Sequence, residues 1–309
     1  MELTLQKDGV VARADTHGAE LFSYCLPNGR QVLWGGSEKS WPGRSPVLFP
    51  IVGPVPGNRI EIDGELRQMR RHGFARDMEY QVAEQTQESV TFTACANEET
   101  LERYPYRFRI SVTHRLEKAG FTTSYTVKNE DERPLGYCIG GHVGFVCPMA
   151  ADDRFEDYQL SWPDAECVLL FPYDVGPTPR ATAPELVAES CTGLPVSHKL
   201  FDQGTLFLAE VPNKIITLQN PRTGIGVRME YEGFPVMALW SKEYANAPFL
   251  CIEPWHGVPQ LEIGRQRFED KRFMIHLNPG EEKTLSYRVT VLEPAAHSRL
   301  EDAEWDSSF

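Results

Sequence analysis

The fold is indicated most clearly by residues 108–127, which read FRISVTHRLEKAGFTTSYTV. Apolar and polar side chains alternate along Phe108–Thr113 and again along Phe121–Val127, as they do in half-buried β-strands. Between them, Glu117-Lys118-Ala119-Gly120 contains the glycine that is typical of a hairpin turn. The stretch therefore predicts two adjacent antiparallel strands.

The same alternation continues along the chain. Asp63-Gly64 lies between Arg59–Ile62 and Glu65–Arg67 and is a strong signal for a two-residue hairpin. Near the end of the chain, Phe273–Leu277 and Thr284–Leu292 are separated by a short turn, and we predict that they pair with each other.

Helical periodicity is confined to Glu98–Arg103, which Tyr104-Pro105 ends. Many short strands, together with 24 glycines and 23 prolines, indicate an all-β antiparallel sandwich or barrel. No shift in composition marks a linker, so residues 1–297 are expected to form a single domain. Residues 298–309 are acidic and are expected to form a disordered tail.

The charge of the chain limits its partners. Its 31 lysines and arginines against 44 aspartates and glutamates give a formal net charge of -13. Such a field repels nucleic-acid phosphates and anionic lipids, so neither nucleic acid nor a membrane is expected as a partner. No apolar run approaches the roughly 20 residues needed to cross a bilayer.

Seven cysteines are scattered along the chain, and none forms a CxxC pair. This pattern argues against a disulfide framework and a cysteine-rich zinc site, and it favours a reducing compartment. The first residues show no basic segment followed by an apolar core, as a secretory signal would. We therefore expect a cytoplasmic protein.

Three residues stand out as candidates for acid–base chemistry. His72 follows two arginines and precedes Gly73, His142 follows two glycines, and Glu253 continues an apolar strand pattern. Two imidazoles and a carboxylate can move protons on a neutral substrate. Each residue also has a structural interpretation: a surface histidine for His72, a core histidine for His142, and a salt bridge for Glu253.

Trp255 and His256 add an aromatic face and a polar group beside Glu253, which suits a sugar ring. The alternative that Glu253, His256 and His142 bind a metal is disfavoured, because Pro254 prevents the helical spacing such ligands commonly use. The sequence also contains no nucleophile elbow, phosphate-binding loop or dinucleotide fingerprint.

Short motifs that occur in order along most of the chain point to a known family. They are Gly18–Leu21, Val32–Gly35, Trp41, Pro46–Gly53, His72–Arg76, Gly141-His142 with Phe145 and Pro148, and Cys251–Trp255. As an ordered set they resemble the aldose 1-epimerase (galactose mutarotase-like) superfamily, and in particular its LacX-like branch.

The resemblance implies a β-supersandwich whose cleft binds a sugar and interconverts its α and β anomers without cofactor or metal. It implies that Glu253 is the base at the anomeric hydroxyl and His142 the acid at the ring oxygen. His72 would help to hold that oxygen, and Arg76 would contact the substrate. With reference pKa values of about 4.3 and 6.5, Glu253 is expected to be ionised at neutral pH and a histidine able to donate or accept.

Two further groups of residues are candidates for substrate binding. Relatives usually carry a sugar-binding aspartate where this chain has Gly204, and Asp202 lies two residues away, which is about 7 Å along a strand. A phosphate on the sugar could be held by arginines, which suit anions. The candidates are Arg59, Arg70, Arg71 and Arg76.

Three functions are open at this point. The first is a mutarotase for a free or phosphorylated aldose, acting as a monomer or homodimer. A second is a non-catalytic carbohydrate-binding or sugar-sensing protein with the same cleft. The third, a glycan lyase or another isomerase on a similar sandwich, is less attractive because such enzymes usually need a longer groove and more domains.

Overall fold

The computed structural model of the chain describes residues 1–163, 167–172, 185–189, 194–202, 204–209, 211–259 and 267–294. The acidic tail predicted at residues 298–309 lies outside them. Nearly all regular structure in the described ranges is β-strand. No helix within them has the length and hydrophobicity needed to cross a membrane.

The first twelve strands are β1 (Glu2–Lys7), β2 (Val10–Asp15), β3 (Glu20–Cys25), β4 (Val47–Leu48), β5 (Arg59–Ile62), β6 (Glu65–Gln68), β7 (Gln81–Gln85), β8 (Ser89–Cys95), β9 (Phe108–Glu117), β10 (Gly120–Asn129), β11 (Leu135–Tyr137) and β12 (Ile139–Gly141). The other strands are β13 (Val143–Val146), β14 (Gln159–Ser161), β15 (Cys167–Pro172), β16 (Glu185–Glu189), β17 (Leu194–Pro195), β18 (Leu206–Ala209), β19 (Ile215–Gln219), β20 (Gly226–Glu230), β21 (Val236–Trp240), β22 (Phe249–His256), β23 (Ile275–Leu277) and β24 (Glu282–Leu292).

The single α-helix of the described residues, α1, spans Glu98–Arg103, as the sequence predicted. It begins with a capping box, in which the Asn97 side chain accepts from the Thr100 amide and the Thr100 hydroxyl accepts from the Asn97 amide. Short 3₁₀ turns lie at Pro56–Asn58, Ala75–Asp77, Phe155–Asp157, His198–Phe201, Pro212–Lys214 and Phe268–Asp270.

Two large antiparallel sheets dominate the fold, which confirms the predicted all-β supersandwich. One has nine strands in the order β17-β14-β19-β20-β24-β10-β9-β8-β7. The other has eight: β16-β15-β18-β21-β22-β12-β4, with β13 also paired to β22. Smaller sheets comprise β1-β2-β3, β5-β6 and β11-β23.

The two hairpins predicted from local turns are confirmed, since β9 pairs with β10 and β5 pairs with β6. The predicted pairing of the last two strands is wrong. β23 pairs with β11, whereas β24 pairs with β10 and β20 in the nine-stranded sheet. Alternation identifies a strand but carries no information about its partner, and β10 and β11 lie more than a hundred residues before the strands with which they pair.

The eight-stranded sheet is buried on both faces around its central strand, β22. Leu250 and Ile252 belong to the main core, which also contains residues of the nine-stranded sheet. Cys251, Glu253 and Trp255 alternate with them and lie on the opposite face. Because both faces are covered, this strand reads as a continuous apolar run rather than as an alternating one.

Candidate active site

Glu253 occupies the middle of the eight-stranded sheet, on the face turned away from the main core. Ala238 of β21 lies directly beside it in register. On its other side, β12 and β13 both pair with β22, and His142 is the residue between them. The His142 backbone amide donates to the carbonyl of Pro46 at 3.1 Å, which fixes the position of the imidazole.

His142 and Glu253 form the closest contact between ionisable groups of the site. His142 Nε2 lies 3.4 Å from Glu253 Oε1, and the side chains are only 10% and 1% exposed. Neither carboxyl oxygen of Glu253 makes a hydrogen bond, and neither does His142 Nδ1. Buried polar atoms are nearly always paired, so three unpaired atoms in one contact mark a place prepared for a ligand.

His72 joins the same cluster from a different part of the chain. Its ring centroid lies 5.4 Å from that of His142 and 5.6 Å from that of Trp255, edge to face in both cases. The residue is buried, with a positive φ of 67°. Its Nδ1 accepts the Gly53 amide at 3.0 Å, which leaves the hydrogen of the neutral ring on Nε2.

Trp255 lies two residues beyond Glu253 on the same face of β22, as the sequence suggested for a cleft residue. It packs against His72, and its indole N–H makes no hydrogen bond of normal geometry. Gly140 on the neighbouring strand makes room for it, because a Cβ there would lie 2.7 Å from the indole ring. Gly140, the first of the two glycines before His142, therefore has a packing role.

Two tryptophans that the sequence could not assign also contact His142. Trp41 stacks on its imidazole with ring centroids 4.8 Å apart, and Trp240 meets it edge to face at 5.6 Å. Trp41 lies in a loop between glycines and prolines, and Trp240 ends β21. An aromatic side chain inside a Gly- and Pro-rich loop was the available signal for Trp41. No comparable signal existed for Trp240.

Arg76 lies beside the cluster, at a recess of about 170 Å³ that Trp41 and Glu20 also line. Its Nη2 donates to the carbonyl of Arg71 at 3.0 Å. Glu20 is held by Arg44, whose Nε donates to it at 2.9 Å, and by the Ser45 amide. The recess thus places a guanidinium, a fixed carboxylate and an indole next to His142, a combination suited to a polyhydroxylated molecule.

Burial moves the pKa values of Glu253 and His142 away from their reference values in opposite directions. The pKa of Glu253 is raised well above its usual value because the carboxyl is desolvated, although the Trp255 indole and the charge of Arg71 partly oppose this. Burial, and then the cations Arg76 and Arg71, lower the pKa of His142 to about 3. Without a ligand, these two shifts favour a proton on Glu253 over a proton on His142.

His72 is also neutral at physiological pH. Its pKa is well below the usual value, first because the ring is buried and then because His142, Arg76 and Arg71 lie nearby. It can donate through Nε2, but it does not readily accept a further proton.

Two predicted substrate-binding residues lie outside this cluster. Arg59 is exposed at the start of β5, and none of the described contacts joins it to His72, His142 or Glu253. Asp202 ends a 3₁₀ turn, not a strand, so the strand-based offset was the wrong measure. Its Oδ1 accepts the Tyr244 amide at 3.1 Å. Gly204 has a φ of 100°, which disfavours an aspartate there.

The metal set considered from the sequence does not form. His256 follows Glu253 by three residues and points to the other face of β22, where its Nδ1 lies 2.7 Å from the Phe273 carbonyl. A different trio of possible donors does assemble among the described residues. Atoms of His142, Cys251 and Glu253 all lie within 4.8 Å of one another.

Comparisons with known proteins identify the family of the chain. A family profile described as aldose 1-epimerase matches residues 1–290. The chromosomal LacX protein of Lactococcus lactis is 30% identical over 305 residues, which cover 94% of this chain and all of that protein.

Solved structures show the same architecture. A galactose mutarotase related enzyme from Lactobacillus acidophilus superimposes with a TM-score of 0.90 at 26% identity, covering 96% of this chain and 99% of that one. A galactose mutarotase-like protein from Lactobacillus casei gives 0.88 at 28% identity, with 94% and 100% covered. The motifs around His72, His142 and Glu253 therefore lie in a chain that belongs to the aldose 1-epimerase family.

Proposed function

We propose that this protein is a mutarotase, which interconverts the α and β anomers of an aldose by acid–base ring opening. The observation that carries the proposal is the buried contact between His142 Nε2 and Glu253 Oε1, which lie 3.4 Å apart. His142 Nδ1 and both carboxyl oxygens of Glu253 make no hydrogen bond. Membership of the aldose 1-epimerase family supports the same class of reaction.

The pair holds one mobile proton, and sugar binding decides which residue carries it. In the free protein that proton lies on Glu253, because burial disfavours the carboxylate. A sugar hydroxyl that donates to the unpaired carboxyl oxygens stabilises the charged form and lowers the pKa of Glu253. The proton can then cross the short distance to His142, which leaves a carboxylate and an imidazolium around the substrate.

Ring opening then uses both groups. Glu253 takes the proton from the anomeric hydroxyl O1, and His142 gives a proton to the ring oxygen O5 as the C1–O5 bond breaks. The product is the open-chain aldehyde, with its carbonyl at C1. Rotation about C1–C2 presents the other face of the carbonyl, and closure returns both protons. The cycle consumes no cofactor, and each positioned acid or base contributes roughly 10²–10⁴-fold to the rate.

His72 and Arg76 position the substrate in this scheme. The Nε2–H of His72 donates to the ring oxygen, and its low pKa keeps it from competing for the transferred proton. Arg76 and Trp41 line the recess beside His142, where sugar hydroxyls would bind. Trp255, which packs on His72 beside Glu253, supplies an apolar wall.

The substrate is an aldose, free or phosphorylated. Of the four arginines considered for a phosphate, Arg59 has no described contact with the cluster, and Arg70 pairs with Asp77 at 3.2 Å. Arg71 and Arg76 are close enough to shift the pKa values of the cluster, so these two would bind a phosphate on the sugar.

The proposal is tested by following freshly dissolved α-glucose, α-galactose and α-glucose 6-phosphate to anomeric equilibrium by polarimetry or one-dimensional NMR. Wild type should accelerate at least one of them. Glu253→Gln should reduce the acceleration by about 10²–10⁴-fold. Glu230→Gln, on strand β20 of the other large sheet, is the matched control and should keep the full rate.

A non-catalytic sugar-binding protein is the competing function, and the absence of an aspartate at Gly204 favours it. Calorimetry on the same sugars separates the two. Saturable binding without any acceleration of mutarotation by wild type would establish the binding protein and reject the enzyme.

A further inference from the structure

Cys251, His142 and Glu253 bring three different metal-binding atoms together in the candidate site. A thiol sulfur, an imidazole nitrogen and a carboxyl oxygen all lie within 4.8 Å of one another, and all three residues are buried. We propose that they bind a thiophilic divalent cation, of which Zn²⁺ is the type, and that the bound cation inhibits the reaction proposed above.

His142 and Glu253 already have the donor spacing of a tetrahedral cation, and the Cys251 sulfur lies within 4.8 Å of both. Bonds of about 2.3 Å to sulfur and about 2.0–2.1 Å to nitrogen and oxygen place the ligand atoms roughly 3.3–3.6 Å apart. His142 Nε2 and Glu253 Oε1 are already 3.4 Å apart. Cys251 precedes Glu253 by two residues on β22, so its side chain projects from the same face of the sheet.

The cation would also satisfy atoms that the protein leaves unpaired. Both carboxyl oxygens of Glu253 lack hydrogen bonds, although the side chain is only 1% exposed. A thiolate and a carboxylate together balance the two charges of Zn²⁺, so the complex with a neutral imidazole is electrically neutral. A neutral complex is the form that a buried site tolerates best. Binding releases to solvent the protons that the thiol and the carboxyl carried.

The donor set also selects the kind of cation. A thiol and an imidazole with a single carboxylate favour zinc and disfavour magnesium or calcium, which require several oxygen ligands. Affinity should be moderate, because His142 Nδ1 has no partner to support the ring as a ligand. A missing support of this kind typically weakens binding by 10–100-fold.

The inhibitory effect rests on the proposed function, whereas the binding does not. The metal would occupy the nitrogen of His142 and the carboxyl of Glu253, which are the two proton-transferring groups. Cys251 has no part in the proposed ring opening. Removing its thiol should therefore separate metal binding from catalysis.

The direct test is titration of the purified protein with Co²⁺, followed by competition with Zn²⁺. Thiolate coordination to Co²⁺ produces a charge-transfer band in the near ultraviolet. Wild type and Cys138→Ala should show the band, since Cys138 is a buried free cysteine outside the trio. Cys251→Ala should lack it and should bind Zn²⁺ at least tenfold more weakly. Cys251→Ser is the second variant and should behave in the same way.

Mutarotation assays complete the test. Zn²⁺ should inhibit wild type, a chelator should restore the activity, and Cys251→Ala should remain active with at least tenfold lower sensitivity to zinc. Absence of a thiolate band in wild type, or equal zinc affinity in wild type and Cys251→Ala, would overturn the metal site. A band that appears while zinc-saturated wild type keeps its full rate would support binding and reject the inhibition. It would also reject the catalytic roles assigned to His142 and Glu253.

Discussion

Two buried histidines, His114 and His142, differ in how their ring nitrogens are paired. His114, on β9 of the nine-stranded sheet, is 3% exposed, and its nitrogens lie 2.9 Å from the Thr123 hydroxyl and the Ala19 carbonyl. His142 is 8% exposed, its Nδ1 has no partner, and its Nε2 has only the longer contact with Glu253. Burial lowers the pKa of both, to about 4 and about 3.

Burial depth and pKa therefore do not distinguish these two residues, but hydrogen bonding does. A buried polar group with all its partners stabilises a unique packing, whereas a buried group without partners costs free energy that only a ligand can recover. His114 connects β9 to the residue before β3. His142 holds no other part of the protein through its ring nitrogens, and this leaves them available to a substrate.

The largest expected difference comes from the same substitution at the two positions. His142→Asn should lower kcat by about 10²–10⁴-fold, with a much smaller change in sugar affinity and little loss of stability. His114→Asn should keep kcat per folded molecule and lose about 1–3 kcal/mol of stability, because its partners stay buried without hydrogen bonds. Mutarotation kinetics and urea unfolding on both variants provide the measurements. Equal losses of kcat and affinity in His142→Asn would mean that His142 only positions the sugar.

A smaller effect is expected for the stability of Glu253→Gln. Most substitutions of buried residues destabilise a protein, whereas this one should stabilise it. The variant should be more stable than wild type by about 1–3 kcal/mol at neutral pH, because a neutral amide replaces a buried carboxyl without partners. The folded-state pKa of Glu253 lies above its unfolded value of 4.5. Below pH 4.5 the buried carboxyl therefore does not lower the stability of wild type, and above pH 4.5 it lowers that stability increasingly as the pH rises. The stability advantage of Glu253→Gln over wild type should grow with pH in the same way. Urea unfolding at several pH values measures it, and a gain independent of pH would exclude an ionisable origin.

The two histidines should also make the protein sensitive to acid. Their folded-state pKa values lie below the unfolded value of 6.5, so the neutral ring is favoured in the folded state. Their contribution to stability is complete above pH 6.5 and is lost as the pH falls toward 4 and then 3. Each adds a slope of roughly 1.4 kcal/mol per pH unit in that window. His142→Asn should make stability fall less steeply below pH 6.5 without loss of stability at pH 7. His114→Asn should also make the fall less steep, but its stability at pH 7 should be lower than that of wild type. An unchanged slope in both would place the acid sensitivity elsewhere.

The sequence predicted the strands and the meeting of the three distant residues, because alternation, turns and short motifs are local signals. It did not predict which strands pair over long distances, as β23 and β24 show. It also could not separate Trp41 and Trp240, which contact His142, from the tryptophans of the core. That assignment depends on where a loop and a strand end meet in space.

The direction of the pKa shift at Glu253 could not be predicted from the sequence for a similar reason. A carboxylate near pKa 4.3 was expected from residue type alone, but the side chain is almost completely buried without hydrogen bonds. A residue's type fixes its reference pKa, whereas its solvation depends on what packs around it. The same limit applies to Asp202, whose distance to the site was judged along a strand that the structure replaces with a 3₁₀ turn.

The smallest expected effect concerns Arg71, whose charge acts on His142 and not on His114. Its charge lowers the pKa of His142 and of Glu253 but is absent from the causes that act on His114. Arg71→Gln should therefore raise the pKa of His142 slightly, since an exposed charge is strongly screened. NMR titration of the histidine ring resonances should show no change at His114, and high salt should reduce the shift at His142. An equal shift at both histidines would mean that the substitution altered the fold and did not remove a local charge.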